Sequence, residues 1–392
     1  MKNYFKPVAV EPIPEQEFED RLERLREAMK SDEFDVLLVF GNCHQSGNIR
    51  YLSNYRPFPL QDFTFPTAMP NATIVIPKEN IPTLFVPPLF VSEAKEDSFI
   101  KDVRPQTDFS SFIKDLRVKT ELAKIGICGQ ELVPNPLWEL YVKSFEDVEV
   151  KSSDIVAKLR MVKSERELAW MELAAKITVE AIKAAIDAIQ EGVREYDIAM
   201  AADKKMLEQG APERSFDTMV MSGPRIYTVG GRAGNRRIQR GDMILIDLGA
   251  KTEAGYSSDI ARTVGFKIKD PKQEEILKVL VSANDAGQKA AKPGVMASEI
   301  DKAVKGTIED AGYGKYFTQY GYHGMGLEFK ELLPPSTILK PSVVLNVLSC
   351  IFYLGVGGGR IENNVVITPE GNRILTNFPS HKLLDPDRPP II

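Results

Sequence analysis

The stretch DMILIDLGAKTEAGYSSDIARTVGF, residues 242–266, carries two aspartates in strand-like surroundings. Asp247 lies inside MILIDLGA, apolar on both sides, which predicts a strand buried on both faces. SSDIARTVGF reads as a second strand, and TEAGYS between them has turn character. A hairpin centred near Glu253 would set Asp247 and Asp259 opposite each other on one face, with Cβ atoms roughly 4.5–5.5 Å apart. Two buried carboxylates at that separation repel and must share a proton or a cation. A divalent metal bridged by oxygen ligands is the natural solution. The competing reading makes one aspartate a turn residue facing water, which suits Asp259 better than Asp247.

Other chemistry-bearing residues lie further along. His323 sits in the glycine-rich GYHGMGLEFKELLPP, where small neighbours allow close backbone approach and fix the direction of the ring. GGGRIENNVVIT places Arg360 and Glu362 at the start of a strand, a pairing that alone is most often a local ion pair. VLSCIFY sets Ser349 and Cys350 side by side in an apolar run. A nucleophile needs an activating partner, nothing resembling a base adjoins the pair, and the segment has no nucleophile-elbow pattern.

These residues need elements to hold them. EQEFEDRLERLREAMK places Phe18, Leu22, Leu25 and Met29 at helical spacing. FDVLLVFG, NATIVIP, IPTLFVPP and KIGICG read as strands, with GNIRYLSNY as a loop and turn. Strands alternating with helical stretches describe an α/β domain, ending near residue 155. Ser164 with Glu167 three residues on is a capping box. It opens a helix with Leu168, Met171, Ala175, Ile182, Ile186 and Ile189 on one face, and Gly192 is its stop signal. GVREYDIAMAADKKMLEQG (192–210) and GVMASEIDKAVKGTIEDAG (294–312) form an internal repeat of equal length, with Ile198 and Ile300 at matching offsets. Each reads as a loop plus amphipathic helix with a glycine C-cap. Two related halves imply one large pseudo-symmetric domain with a site between them.

The totals narrow the possibilities. A chain of 392 residues with 43% hydrophobic content can bury a large core and suggests two or more domains. Net charge is −5, and the basic residues are scattered, so neither nucleic acid nor an anionic membrane is favoured as a partner. Cys43, Cys128 and Cys350 are far apart, with no CxxC and no disulfide framework, as in a reducing compartment. No signal core opens the sequence and no apolar run approaches the roughly 20 residues that span a bilayer. The expectation is a soluble, cytoplasmic protein.

Together these segments resemble the creatinase/prolidase/methionine-aminopeptidase superfamily. IDLGA…SSDIARTV looks like its aspartate hairpin, HGMGLEFKE like its histidine loop, and GGGRIENNVVIT like its final glutamate strand. GNIRYLSNY and LRMVKSERELAWM are similar to its N-terminal domain and linking segment. The resemblance implies a smaller α/β creatinase-type domain over 1–155 and an α+β pita-bread catalytic-type domain over 156–392. It implies metal ligands at Asp247, Asp259, His323 and Glu362, and a substrate contact at Arg360. It also implies a homodimer, in which NYRPFP and His44 could lie near the partner's site.

The chain departs from that pattern at three places. The family's remaining ligand, a glutamate, matches Ser349. Two histidines that contact substrate or intermediate match Gly230, in TVGGRAG, and Lys330. Lys330 could serve instead as a cationic anchor or as a base. The resemblance thus implies a hydrolase acting on an amide or other C–N bond of a small molecule or dipeptide, of Xaa-Pro peptidase or creatinase type. Its reduced metal site would take one divalent ion (manganese, cobalt, zinc or iron) or none. The alternative is an inactive pseudo-peptidase that binds a protein or peptide.

Overall fold

The computed structural model describes residues 10–57, 71–119, 122–145, 147–227 and 230–384. Phe58 and Pro59 of NYRPFP, and Thr228 and Val229 of TVGGRAG, lie outside the described residues. The chain divides into two compact units, one of Ile13–Arg160 and one built on Met161–Ile392.

In the first unit, helix α1 (Glu15–Ser31) buries Phe18, Arg21, Leu25 and Met29. Arg21 takes part of the face expected of Leu22, its guanidinium donating to Tyr51 O at 2.8 Å and lying over the Tyr51 ring. Strand β1 (Val36–Asn42) is followed by α2 (Gly47–Ser53), β2 (Asn71–Pro77) and β3 (Thr83–Val86). Then come α3 (Val91–Asp97), β4 (Asp102–Pro105), α4 (Phe109–Lys119) and β5 (Lys124–Cys128). Helix α5 (Asn135–Val142), β6 (Glu149–Ser152) and α6 (Ile155–Met161) complete the run. The six strands form one mixed sheet in the order β4-β3-β2-β1-β5-β6. GNIRYLS is helix α2 rather than the loop expected. Ile49 and Leu52, three apart, are buried as a helical pair, and Asn54 ends the helix in the left-handed region at φ 66°.

The second unit opens with α7 (Glu165–Asp187). Its capping box is formed as the sequence predicts: Glu167 N donates to Ser164 Oγ at 3.1 Å, and Ser164 N donates to the Glu167 carboxylate at 2.9 Å. Helix α8 (Glu195–Glu208), β7 (Glu213–Arg214), β8 (Met219–Ser222), β9 (Asp242–Leu248), β10 (Ala250–Lys251) and β11 (Ile260–Phe266) follow. Helices α9 (Pro271–Ala290) and α10 (Ser298–Asp310) lead to β12 (Tyr322–Gly324), β13 (Val344–Tyr353), β14 (Gly357–Thr368), β15 (Gly371–Ile374) and β16 (His381–Leu384). Two four-stranded sheets result, β16-β11-β9-β8 and β12-β13-β14-β15. This is the α+β pita-bread architecture.

The repeat is visible in the backbone. Gly192, Gly210, Gly294 and Gly312, which bound its copies, have φ of 87°, 90°, 82° and 83°. Gly192 N donates to Ile238 O at 2.9 Å and Gly294 N to Leu339 O at 2.8 Å. Ile198 and Ile300 are both fully buried.

Period-two alternation divides the core. From β9, Ile244, Ile246 and Leu248 pack with α7 and α8, while Met243 and Leu245 pack with α9 and α10. Asp247 shares the second face. The hairpin register differs by two residues from the expectation, pairing Asp247 with Ala261 rather than Asp259, and Leu248 with Ile260. A tight turn sets it: Gly255, at φ 89°, donates to Thr252 O, and Thr252 N donates to Tyr256 O. Asp259 therefore lies diagonal to Asp247 on the same face, rather than opposite it.

Candidate active site

Each site residue is placed by strand alternation and by a few buried hydrogen bonds. On β14, Ile361 and Val365 enter the core while Arg360, Glu362 and Asn364 take the other face. That strand is tied from several directions. Asn284 of α9 donates to Val347 O and Ile361 O at 2.8 and 3.0 Å, joining β13 to β14. Arg262 of β11 donates to Glu362 O at 2.6 Å. Thr263 Oγ1 accepts from Arg360 N at 2.9 Å and donates to Arg360 O at 2.9 Å. The glycines before Arg360 permit this approach, since a Cβ on Gly359 would collide with the Thr263 side chain.

Asp259 immediately precedes β11. Its N–H and the Ser258 hydroxyl both donate to Asn364 Oδ1, at 2.9 and 2.8 Å. His323 comes from β12. Asp259, His323 and Glu362 are all buried, and one ligand atom from each lies within 4.8 Å of the others. His323 Nε2 is 3.5 Å from Asp259 Oδ2, and Nδ1 contacts Gly324 O at 3.1 Å. With the proton on Nδ1 for that carbonyl, the Nε2 lone pair faces the carboxylates. Burial pushes the imidazole pKa down to about 4, against the pull of Glu362, so the ring is neutral at pH 7.

The carboxylates shift the opposite way. Burial, then the Glu362 charge, raises Asp247 to about 7, with Arg360 opposing. Burial, then Asp247, raises Asp259 to about 8. Burial, then Asp259, raises Glu362 to about 7, with Arg360 opposing. Arg360 Nη1 lies 2.5 Å from Asp247 Oδ2, and its Nε 3.5 Å from Glu362 Oε1. Burial works against the guanidinium charge, but Asp247 and Glu362 more than offset it. Among the described residues, Asp247 Oδ1 and Asp259 Oδ1 are buried with no hydrogen-bond partner.

Asp259, His323 and Glu362 are thus brought together, while Asp247 faces Arg360. Lys330 is exposed at the edge of the same cleft of about 800 Å³, its Nζ 5.6 and 5.9 Å from the ring centres of Phe329 and Tyr320. Gly230 lines the cleft too, and a Cβ there would meet nothing within 4 Å. Ser349 is a correction. Its hydroxyl donates to Leu280 O of α9 at 2.8 Å, on the core face of β13. The residue opposite Glu362, and lining the cleft, is Leu348. The vacancy assigned to Ser349 therefore belongs to its neighbour, because adjacent strand residues face opposite ways. Cys350 is buried, and burial raises its thiol to about 11, which suits packing. Sequence reasoning also missed Asn346 and Asn364. For Asn346 the signal was the one that revealed Asp247, a polar residue inside an apolar strand run, whereas Asn364, directly after Glu362 and Asn363, carries no such mark.

Similarity to known proteins agrees with this architecture. The profile of metallopeptidase family M24 matches residues 169–369, and that of the creatinase/prolidase N-terminal domain matches residues 21–162. A curated Xaa-Pro dipeptidase from Pyrococcus horikoshii is 32% identical over 362 residues, covering 91% of this chain and 97% of its own. The prolidase crystal structure from that organism superposes with a TM-score of 0.81 over 92% of this chain and 99% of its own, at 32% identity. An X-Pro aminopeptidase from Thermotoga maritima gives a TM-score of 0.79 at 28% identity, covering 92% of this chain and 98% of its own. The chain belongs to metallopeptidase family M24. These relatives carry peptidase names, and the binding-only alternative finds no support among them. Among the described residues, no helix is long and apolar enough to cross a membrane.

Proposed function

We propose that the protein is a hydrolase of Xaa-Pro dipeptides or similarly small amides, with one divalent ion held by Asp259, His323 and Glu362. The observation that carries this reading is the buried cluster itself, three ligand atoms within 4.8 Å of one another. The residues fit such an ion. The imidazole is neutral with Nε2 toward the carboxylates, and Asp259 Oδ1 is a buried oxygen without a partner among the described residues. A donor set of two carboxylates and one imidazole suits manganese, cobalt, zinc or iron. The charge balance favours a single ion: Asp247, Asp259 and Glu362 against one buried guanidinium leave two negative charges. When bound, the ion supplies a water acidified toward neutral pH and polarises the scissile carbonyl.

The chain's own residues do the rest. Arg360 holds Asp247 and Glu362 in place, so the guanidinium is engaged before any substrate arrives. Lys330 at the cleft edge offers a cation to a substrate carboxylate, and Phe216 and Phe329, with ring centres 5.1 Å apart, give an apolar wall. The names of the Pyrococcus and Thermotoga relatives support the choice of substrate. The test is hydrolysis of a panel of Xaa-Pro dipeptides by the purified protein, with elemental analysis alongside. Activity that chelation removes and a single added ion restores is expected. A protein that takes up no divalent ion and leaves every dipeptide intact would overturn the proposal.

A further inference from the structure

We infer that Asn346 is a fourth ligand of this ion, supplying a neutral amide oxygen; the inference rests on the one-ion reading above. Strand β13 runs between β12 and β14, and Asn346 is paired with His323 on one side and Asn364 on the other. The positions of β13 nearest the cluster on the site face are Asn346 and Leu348. Leu348 has no donor atom, so Asn346 is the oxygen that β13 can offer there.

Asn346 is fully buried. Its Nδ2 donates to Glu362 Oε2 at 3.0 Å, while its Oδ1 is buried with no hydrogen-bond partner among the described residues. Glu362 fixes this orientation, since rotating the amide would set its oxygen against a carboxylate oxygen. An unpaired buried amide oxygen is costly, and here it stands beside two of the three ligands. Asp259 Oδ1 is a second such oxygen in the same cluster. Two orphaned oxygens, one imidazole nitrogen and the Glu362 carboxylate together describe a cation site. Because the amide is neutral, it adds a donor while leaving the ligand charge at the two negatives of Asp259 and Glu362.

The simpler role for Asn346 is to orient Glu362 through its NH₂ group alone. Calorimetric titration of the chelated full-length protein with Mn²⁺ separates the two roles. The wild type should bind one ion. Asn346→Leu should weaken binding by about tenfold or more. Asn346→Asp keeps an oxygen but loses the donor, so it should bind at least as tightly as the wild type. An aspartate variant as weak as the leucine variant would make Asn346 an orienting residue only and overturn the inference, as would a leucine variant with unchanged affinity. A wild type that binds no Mn²⁺ would overturn the one-ion reading as well. If circular dichroism shows either variant unfolded, a wild-type crystal soaked in Mn²⁺ decides. The ion should lie within about 2.5 Å of Asn346 Oδ1, and a longer separation would overturn the assignment.

Discussion

At the scale of single residues, the site turns on one guanidinium among three buried carboxylates. Removing one partner of a buried ion pair leaves an uncompensated charge, which typically costs about 3–5 kcal/mol. Arg360→Met should therefore lower the unfolding free energy of the ion-free protein by that order at about pH 8, where Asp247 and Glu362 are ionised. Urea denaturation measures it, and adding Asp247→Leu to the same chain should recover much of the loss. The thiols give a second expectation. All three cysteines are buried, and burial holds Cys128 and Cys350 near 11. The native protein should resist iodoacetamide at neutral pH and keep its activity, whereas the urea-unfolded chain should be labelled at three positions. Rapid inactivation on labelling of Cys350 would reopen the nucleophile reading.

Elements decide which residues can reach the cluster at all. Ser349 and Leu348 are neighbours in sequence on opposite faces of β13, one against α9 and the other opposite Glu362. Glutamate at the two positions should behave in opposite ways. Ser349→Glu buries a charge against α9 and breaks the bond to Leu280 O, so it should cost at least about 3 kcal/mol without improving ion binding. Leu348→Glu points into the cluster and should tighten Mn²⁺ binding, or raise its stoichiometry above one. Thermal unfolding and calorimetric titration of the two variants check this, and equal behaviour would refute the assigned faces. Helix α7 carries a smaller, local contribution. Ser164→Ala removes the oxygen that accepts from Glu167 N and should lower stability by about 1 kcal/mol in a denaturant titration.

For the whole molecule, the buried charge makes stability depend on both pH and metal. The folded-state pKa values of Asp247, Asp259 and Glu362 are raised to about 7, 8 and 7, above the ordinary 3.8, 3.8 and 4.5. Protons therefore bind the folded state more tightly than the unfolded one. The stability they contribute is complete below about pH 4 and is lost as pH rises through about 7–8. His323 acts on the other side of neutrality, since its lowered value makes stability fall as pH drops from 6.5 toward 4. Above about pH 6.5 the histidine is neutral in both states, so the carboxylates alone set the slope. The melting temperature of chelated protein should fall between about pH 6.5 and 8.5, and saturating Mn²⁺ should remove that fall by taking the protons' place. A flat profile in the chelated protein would contradict the raised carboxylates.

What the sequence determined by itself was local. An isolated polar residue in an apolar strand run marked Asp247, and a histidine among glycines marked His323, whereas Glu362 beside Arg360 read only as a local ion pair. The Ser164–Glu167 cap and the glycine-bounded repeat were legible because caps and positive-φ glycines act within a few residues. The resemblance added Glu362 as a ligand, the order of the ligands and the pita-bread identity of the second domain. Only the tertiary structure decided the rest. The Thr252–Tyr256 turn moved the hairpin register by two residues, which kept the two aspartates on one face but made them diagonal instead of opposed. The pairing of β13 with β14 put Leu348 opposite Glu362, leaving Ser349 to α9. Long-range packing joined Arg360 to Asp247 and Asn346 to Glu362. Side chains along a strand alternate between faces, so a one-residue difference in register or alignment exchanges core for site. That parity is settled by turns and by partners far away in the chain, beyond the reach of local pattern.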